Sequence, residues 1–176
     1  YTNGCSCSEV LIDRFTGDMK VERVDILMDI GKSINPGLNR GQITGAFIQG
    51  MGWLTNEDLR YSSSGALLSY SPTTYKIPNI YDTPPIFNVD VIDNDCTVNV
   101  RGSKAVGEPP LLLANSVFMA VKNALSYVCG EQIPTLTTPA TNEEILARLT
   151  QYKQEAQGQP FKPWFGADSP VLAKAP

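Results

Sequence analysis

"CSCSEVLIDRFTGDMKVERVDILMDIG", residues 5–31, decides the fold. Two extended segments flank Thr16-Gly17-Asp18, a turn signal. Cys5, Cys7, Glu9 and Leu11 alternate along the first segment, and Val21, Val24 and Ile26 bring β-branched content to the second. Alternation on both sides of a glycine turn predicts a β-hairpin. Cys5 and Cys7 then share one face of a strand. The reading favoured for them is small buried side chains; ligation or redox duty is the alternative. With Cys96 and Cys129 they make four cysteines, none at the CxxC spacing of zinc or iron–sulfur sites.

Downstream, "KSINPGLN" (32–39) breaks the strand. Asn35-Pro36 reads as a helix start, with Pro36 at the first helical position. Leu38, Ile43, Phe47, Ile48 and Met51 follow at helical spacing. Gly41, Gly45, Gly50 and Gly52 interrupt that helix, each at a cost of about 1 kcal/mol against Ala. Gly41 and Gly45 lie on one face. Such a bare face suits close approach by another element or by a ligand, and both readings stand.

Residues 58–85 are polar and punctuated by proline, so they read as irregular. "IFNVDVID" (86–93) alternates as a strand, with Phe87, Val89 and Val91 on one side. A loop, "NDCTVNVRGSKAVGEPP" (94–110), leads into an apolar helix over 111–129 that ends near Gly130. Residues 141–156 form the last helix, where Thr141 and Glu144 fit a capping box. The order β-β-α-loop-β-α-α predicts an α+β fold, a β-hairpin and a further strand packed with three helices. Residues 1–150 form the body. Residues 151–176 carry a Pro/Gly-rich tail in which Trp164 and Phe165 could anchor to a neighbouring surface.

Composition narrows the function. The chain has 176 residues, 42% hydrophobic and 18% charged, with net charge −4. That describes an ordinary globular body, and the acidic balance argues against nucleic-acid binding. No apolar run reads as a membrane span, because Asn115, Ser116, Lys122 and Asn123 interrupt the most apolar stretch. The absence of histidine removes Ser-His-Asp and Cys-His chemistry. Acid–base work is left to carboxylates, Lys, Tyr or a cofactor, and no side-chain metal ligand is assigned. The opening "YTNGCSCSEV" has no initiator Met and no signal-peptide core, so a fragment or one chain of a split protein is expected. Few acidic, cysteine-poor chains need an oxidising compartment, and a cytoplasmic protein is expected.

Glu108, in "GSKAVGEPP" (102–110), reads two ways. Pro109 and Pro110 belong in the first turn of a helix. A carboxylate just before that turn is favoured by the helix dipole by about 0.3–1 kcal/mol, which is a complete structural role. Against it, Gly107 leaves the neighbouring peptide uncovered, and the prolines preorganise the backbone beyond it.

"GSKAVGEPPLLLANSVFMAVKNAL" resembles the segment that holds the catalytic glutamate of the molybdenum hydroxylases, the xanthine dehydrogenase and aldehyde oxidase family. "DIGKSINPGLNRGQITGAFIQGMGW" is similar to that family's cofactor-binding stretch, GQ-x-x-GAF-x-QG. The hairpin, "SPTTYKIPNIYDTP" and "TPATNEEILARL" also resemble family segments, in family order over roughly residues 5 to 150. The resemblance implies the C-terminal part of a larger molybdopterin-binding domain. It implies Glu108 as general base toward a hydroxyl on molybdenum, with water as the source of oxygen. It implies that the Gln42 amide hydrogen-bonds the cofactor, and that Ser103, Lys104, Ala105, Val106 and Gly107 line it with backbone N–H groups. It further implies [2Fe–2S] clusters and FAD on other domains or subunits, an oligomer, and an isolated chain that oxidises nothing. "GEPPLLLA", "SPTTYKIP" and "PATNEEIL" lean toward xanthine dehydrogenase, with hypoxanthine or xanthine as substrate. An aldehyde or N-heterocycle hydroxylase is the alternative. A non-catalytic module that keeps this fold is the reading from another class.

Overall fold

The computed structural model describes residues 1–92, 94–130 and 133–158. Strands β1 (Asn3–Ile12), β2 (Met19–Asp29) and β3 (Ile86–Val91) form one sheet with β2 in the centre. The helices are α1 (Pro36–Thr55), a short α2 (Pro110–Leu113), α3 (Asn115–Cys129) and α4 (Asn142–Ala156). The α+β expectation holds. Trp164 and Phe165 lie outside the described residues.

The hairpin forms where the alternation places it. β1 and β2 run antiparallel, from Asn3 opposite Asp29 to Ile12 opposite Met19. The connection is closed by the Asp13 N–H on the Asp18 carbonyl at 2.8 Å, while the Asp13 carboxylate accepts from the Phe15 N–H at 2.7 Å. A bulge falls between Glu9 and Val10, where the register steps from Glu9–Arg23 to Val10–Val21. An extra residue on one strand shifts its facing. That is why Val21 and Val24, three apart, are both buried together with Ile26 and Met28.

β3 pairs with β2 in parallel, Arg23 opposite Ile86 through Met28 opposite Val91. Parallel neighbours need a long crossover. Here α1 and the irregular 58–85 segment supply it. α1 starts as expected: the Asn35 side chain accepts from the Leu38 N–H, with Pro36 in the first turn. Its buried residues Ile43, Phe47 and Met51 meet Val24, Ile26, Met28 and Val89 of the sheet and Val117 of α3. The Phe47 and Phe87 rings pack edge to face, with centroids 5.5 Å apart. A second cluster joins Val121 and Leu125 of α3 to Ile145, Leu149 and Tyr152 of α4.

Three expectations need correction. Cys5 and Cys7 are exposed. β1 turns Ser6 and Ser8 toward the helices, where Ser6 bonds the Leu113 carbonyl and Ser8 bonds Ser116. The cysteines therefore fall on the other face, beside the half-exposed Leu27 and the Arg23–Asp25 ion pair. The Thr141 box is only half formed. Thr141 accepts from the Glu144 N–H, but the Glu144 carboxylate binds the Thr137 N–H and Arg148 instead. Burial opposes ionisation of Glu144; the bonds from Arg148 and Thr137 outweigh it and hold the group below the usual carboxylate range. Finally, Pro110–Cys129 is long and apolar enough to cross a membrane by length and composition, with hydropathy 1.3. Val117, Val121 and Leu125 are fully buried against the rest of the chain, so one face packs into the core, while Leu112, Met119 and Tyr127 are exposed.

Candidate functional site

Three distant parts of the sequence meet at one end of the sheet. The first is the continuation of β2. The Lys32 N–H donates to the Gly102 carbonyl, and the Lys104 N–H donates to the Ile30 carbonyl, both at 2.8 Å. This small bridge pairs Gly31 with Ser103. Gly31 has φ +63, and a Cβ there would sit 2.3 Å from the Gly102 carbonyl oxygen. Only glycine satisfies both constraints.

Asp29 stands just before the bridge and is 7% exposed. Its carboxylate accepts from Lys104 Nζ at 2.5 Å, from the Gly31 N–H at 3.0 Å and from Asn94 Nδ2 at 2.8 Å. The Lys104 bond is the largest cause, followed by the Gly31 N–H and Asn94, that lowers its pKa to about 2. A carboxylate whose folded pKa is depressed adds stability above its unfolded pKa, and that stability is lost as pH falls toward the folded value. The protein should lose stability between about pH 5 and pH 2. Asp29→Asn should flatten that limb in a plot of Tm against pH, with the Glu144 contribution remaining. An unchanged limb would refute the assignment.

The second part is α1. Gln42 lies in its second turn, exposed, and its amide makes no hydrogen bond among the described residues. Its Oε1 lies 3.2 Å from where a Cβ on Gly107 would be. The bare Gly107 is thus what lets the "VGEPP" loop and Gln42 touch. Along the same helix Gly41 and Gly45 have nothing within 4 Å, whereas Gly50 faces the Leu111 carbonyl and Gly52 faces Pro78. The four glycines therefore divide between an open face and tight packing.

The third part is the loop itself. Thr2 Oγ1 donates to the Ala105 carbonyl at 2.8 Å and ties the start of β1 to it. The N–H groups of Ser103 and Lys104 are used inside the chain, by Val100 and Ile30. Those of Ala105, Val106 and Gly107 have no partner among the described residues. Glu108 follows. Its carbonyl accepts from the Leu111 N–H, opening α2, but α2 has no side-chain cap. The Glu108 carboxylate is exposed and unpaired among the described residues. The Glu108 side chain thus makes no capping hydrogen bond, and a structural role for it is confined to the helix dipole. α2 is held in turn by α1, since Gly50 admits the Leu111 carbonyl where a Cβ would lie 2.3 Å from it.

The result is one wall of a site. The Gln42 amide meets the loop at Gly107, between the unpartnered N–H groups of 105–107 and the unpaired carboxylate of the next residue, Glu108. The donors and acceptor of Gln42 suit a pterin edge, and uncovered N–H groups suit anionic or sulfur atoms. The residues present fit a molybdopterin. The sequence reading found Gln42, Gly107 and Glu108. It missed Thr2, Asp29 and Asn94; an aspartate inside the apolar run "ILMDIG" was the one available signal.

Comparison with known proteins identifies the family. Residues 1–84 match the model of the molybdopterin cofactor-binding domain. The chain is 44% identical over 174 residues to the xanthine dehydrogenase/oxidase of Gallus gallus, covering 93% of this chain. The chain belongs to the molybdenum hydroxylase family. It is 42% identical over 173 residues to aldehyde oxidase 2 of Macaca fascicularis. It covers 13% of each of these relatives. The solved quinoline 2-oxidoreductase of Pseudomonas putida 86 superposes with TM-score 0.72 at 28% identity, over 80% of this chain and 17% of that one. The three-stranded sheet and its helices thus correspond to a small segment of these longer relatives.

Proposed function

We propose that this chain supplies the catalytic carboxylate and one wall of the molybdopterin site in a molybdenum hydroxylase that oxidises hypoxanthine or xanthine. One observation carries the reading. Glu108 is a free carboxylate on a backbone fixed by two prolines, and the residue before it, Gly107, lies against Gln42. Bound molybdopterin would supply a metal centre that accepts two electrons and acts as a Lewis acid. Glu108 would take up and hold, at its carboxylate oxygens, a proton released in the reaction. Gln42 and the N–H groups of Ala105–Gly107 orient the cofactor edge. Overall, a substrate C–H and one water give a C–OH, two protons and two electrons. Those electrons leave through [2Fe–2S] clusters and FAD on other domains or subunits of an oligomeric, cytoplasmic enzyme.

The near-equal identity to an aldehyde oxidase supports a second reading, oxidation of aldehydes or N-heterocycles. Turnover of hypoxanthine and benzaldehyde by the intact enzyme separates the two. Hypoxanthine is expected to win by at least about tenfold in kcat/KM. The reverse order favours the aldehyde reading. A native complex without molybdopterin would leave only a non-catalytic module and end the proposal.

A further inference from the structure

Glu108 has no side-chain partner, so its position rests on backbone alone. Downstream, Pro109 and the buried Pro110 set that backbone. Upstream it needs an equivalent anchor, and the chain offers one at Lys104, whose partner Asp29 lies 75 residues earlier in sequence. We propose that the Asp29–Lys104 ion pair is a positioning device for Glu108, clamping the upstream end of the 103–107 loop to the end of β2. This rests on the reading of Glu108 as the base.

Four features carry the proposal. Lys104 is held twice, by its N–H on the Ile30 carbonyl and by its ammonium on Asp29. Both side chains are nearly buried, at 12% and 10% exposure. Asp29 is itself fixed by the Gly31 N–H and by Asn94, so it forms a rigid anchor. The residue after Lys104 is pinned as well, by Thr2. A buried ion pair is a weak device for stability, because desolvation offsets the attraction. Two apolar residues would fill this space as well. What they could not do is hold the loop in one register, since ionic hydrogen bonds are directional. The Lys104 side chain is taken up by Asp29 at its ammonium and lies against Gly31 at its Cγ. Its role is therefore positioning, and it needs no contact with cofactor or substrate.

The test uses the intact enzyme with Lys104→Met and Lys104→Arg. In Lys104→Met, molybdopterin content should stay within about twofold of the parent. Its kcat should fall about 100-fold, the loss expected when a reacting group is displaced by an ångström or so. KM should stay within about threefold, since substrate binding is not altered. Lys104→Arg keeps the charge and a donor, and should recover about tenfold of the lost kcat. Independently of turnover, amide hydrogen exchange in cofactor-free enzyme should accelerate about tenfold in peptides covering 102–109 and stay unchanged in α1 and α3. If Lys104→Met fails to fold, Asp29→Asn, which preserves shape, takes its place. A kcat within about threefold of the parent overturns the proposal, as does unchanged exchange across 102–109. Failure of the base assignment shows separately, as turnover surviving in Glu108→Gln.

Discussion

Glu108→Gln in the intact enzyme should cut hydroxylation by about 10²–10⁴-fold, the usual contribution of a positioned general base. The substitution keeps size, shape and backbone, and removes only the ability to take a proton. No fold contact is lost with it. The Glu108 carboxylate bonds nothing among the described residues, and α2 has no side-chain cap to weaken. The loop should stay closed on Gln42, because that contact is made by Gly107. Molybdopterin content and Tm should therefore match the parent while the rate of cofactor reduction by substrate collapses. A structural acid at a helix start predicts the opposite pattern, a small fall in Tm and full turnover. Activity surviving within about tenfold would show that another group takes the proton.

Local features of this fold were legible; pairings between distant segments were not. The hairpin followed from alternation around Gly17, and α1 from the Asn35-Pro36 start, because both signals are carried by neighbouring residues. The parallel pairing of β3 with β2 is different. It is decided by how α1 packs across the sheet, and no residue in "IFNVDV" encodes its direction. Cys5 and Cys7 failed for a related reason. Period-two alternation says which residues share a face, not which face the helices cover. Here Ser6 and Ser8 face inward and bond α2 and α3. In the site, Gln42, Gly107 and Glu108 stood out through family motifs, yet nothing in the text placed Gln42 against Gly107. Asp29 and Lys104 were illegible as a pair, because charge complementarity over such a separation has no local signature.

The largest effect on stability should come from Phe47→Ala, about 3–5 kcal/mol. Phe47 is fully buried and lies between the sheet and α3, where its ring meets Phe87 edge to face. Truncation removes that aromatic contact and leaves a cavity within the cluster that includes Val24, Ile26, Ile43 and Val117. Those neighbours come from two layers, and collapse on one side opens the other. A loss of that size is a large share of the 5–15 kcal/mol that holds a typical domain. Leu38→Ala on the same helix is the control: Leu38 is 67% exposed and should cost within about 0.5 kcal/mol. Denaturant unfolding with an unchanged m value would make both numbers readable as stability. The consequence reaches the site as well. α1 carries Gln42 at one end, and at Gly50 it supports the Leu111 carbonyl of α2, one turn beyond Glu108. Loosening α1 should therefore weaken molybdopterin retention before the sheet melts. A cost below about 1 kcal/mol for Phe47→Ala would mean that α1 is not the element joining the core to the site.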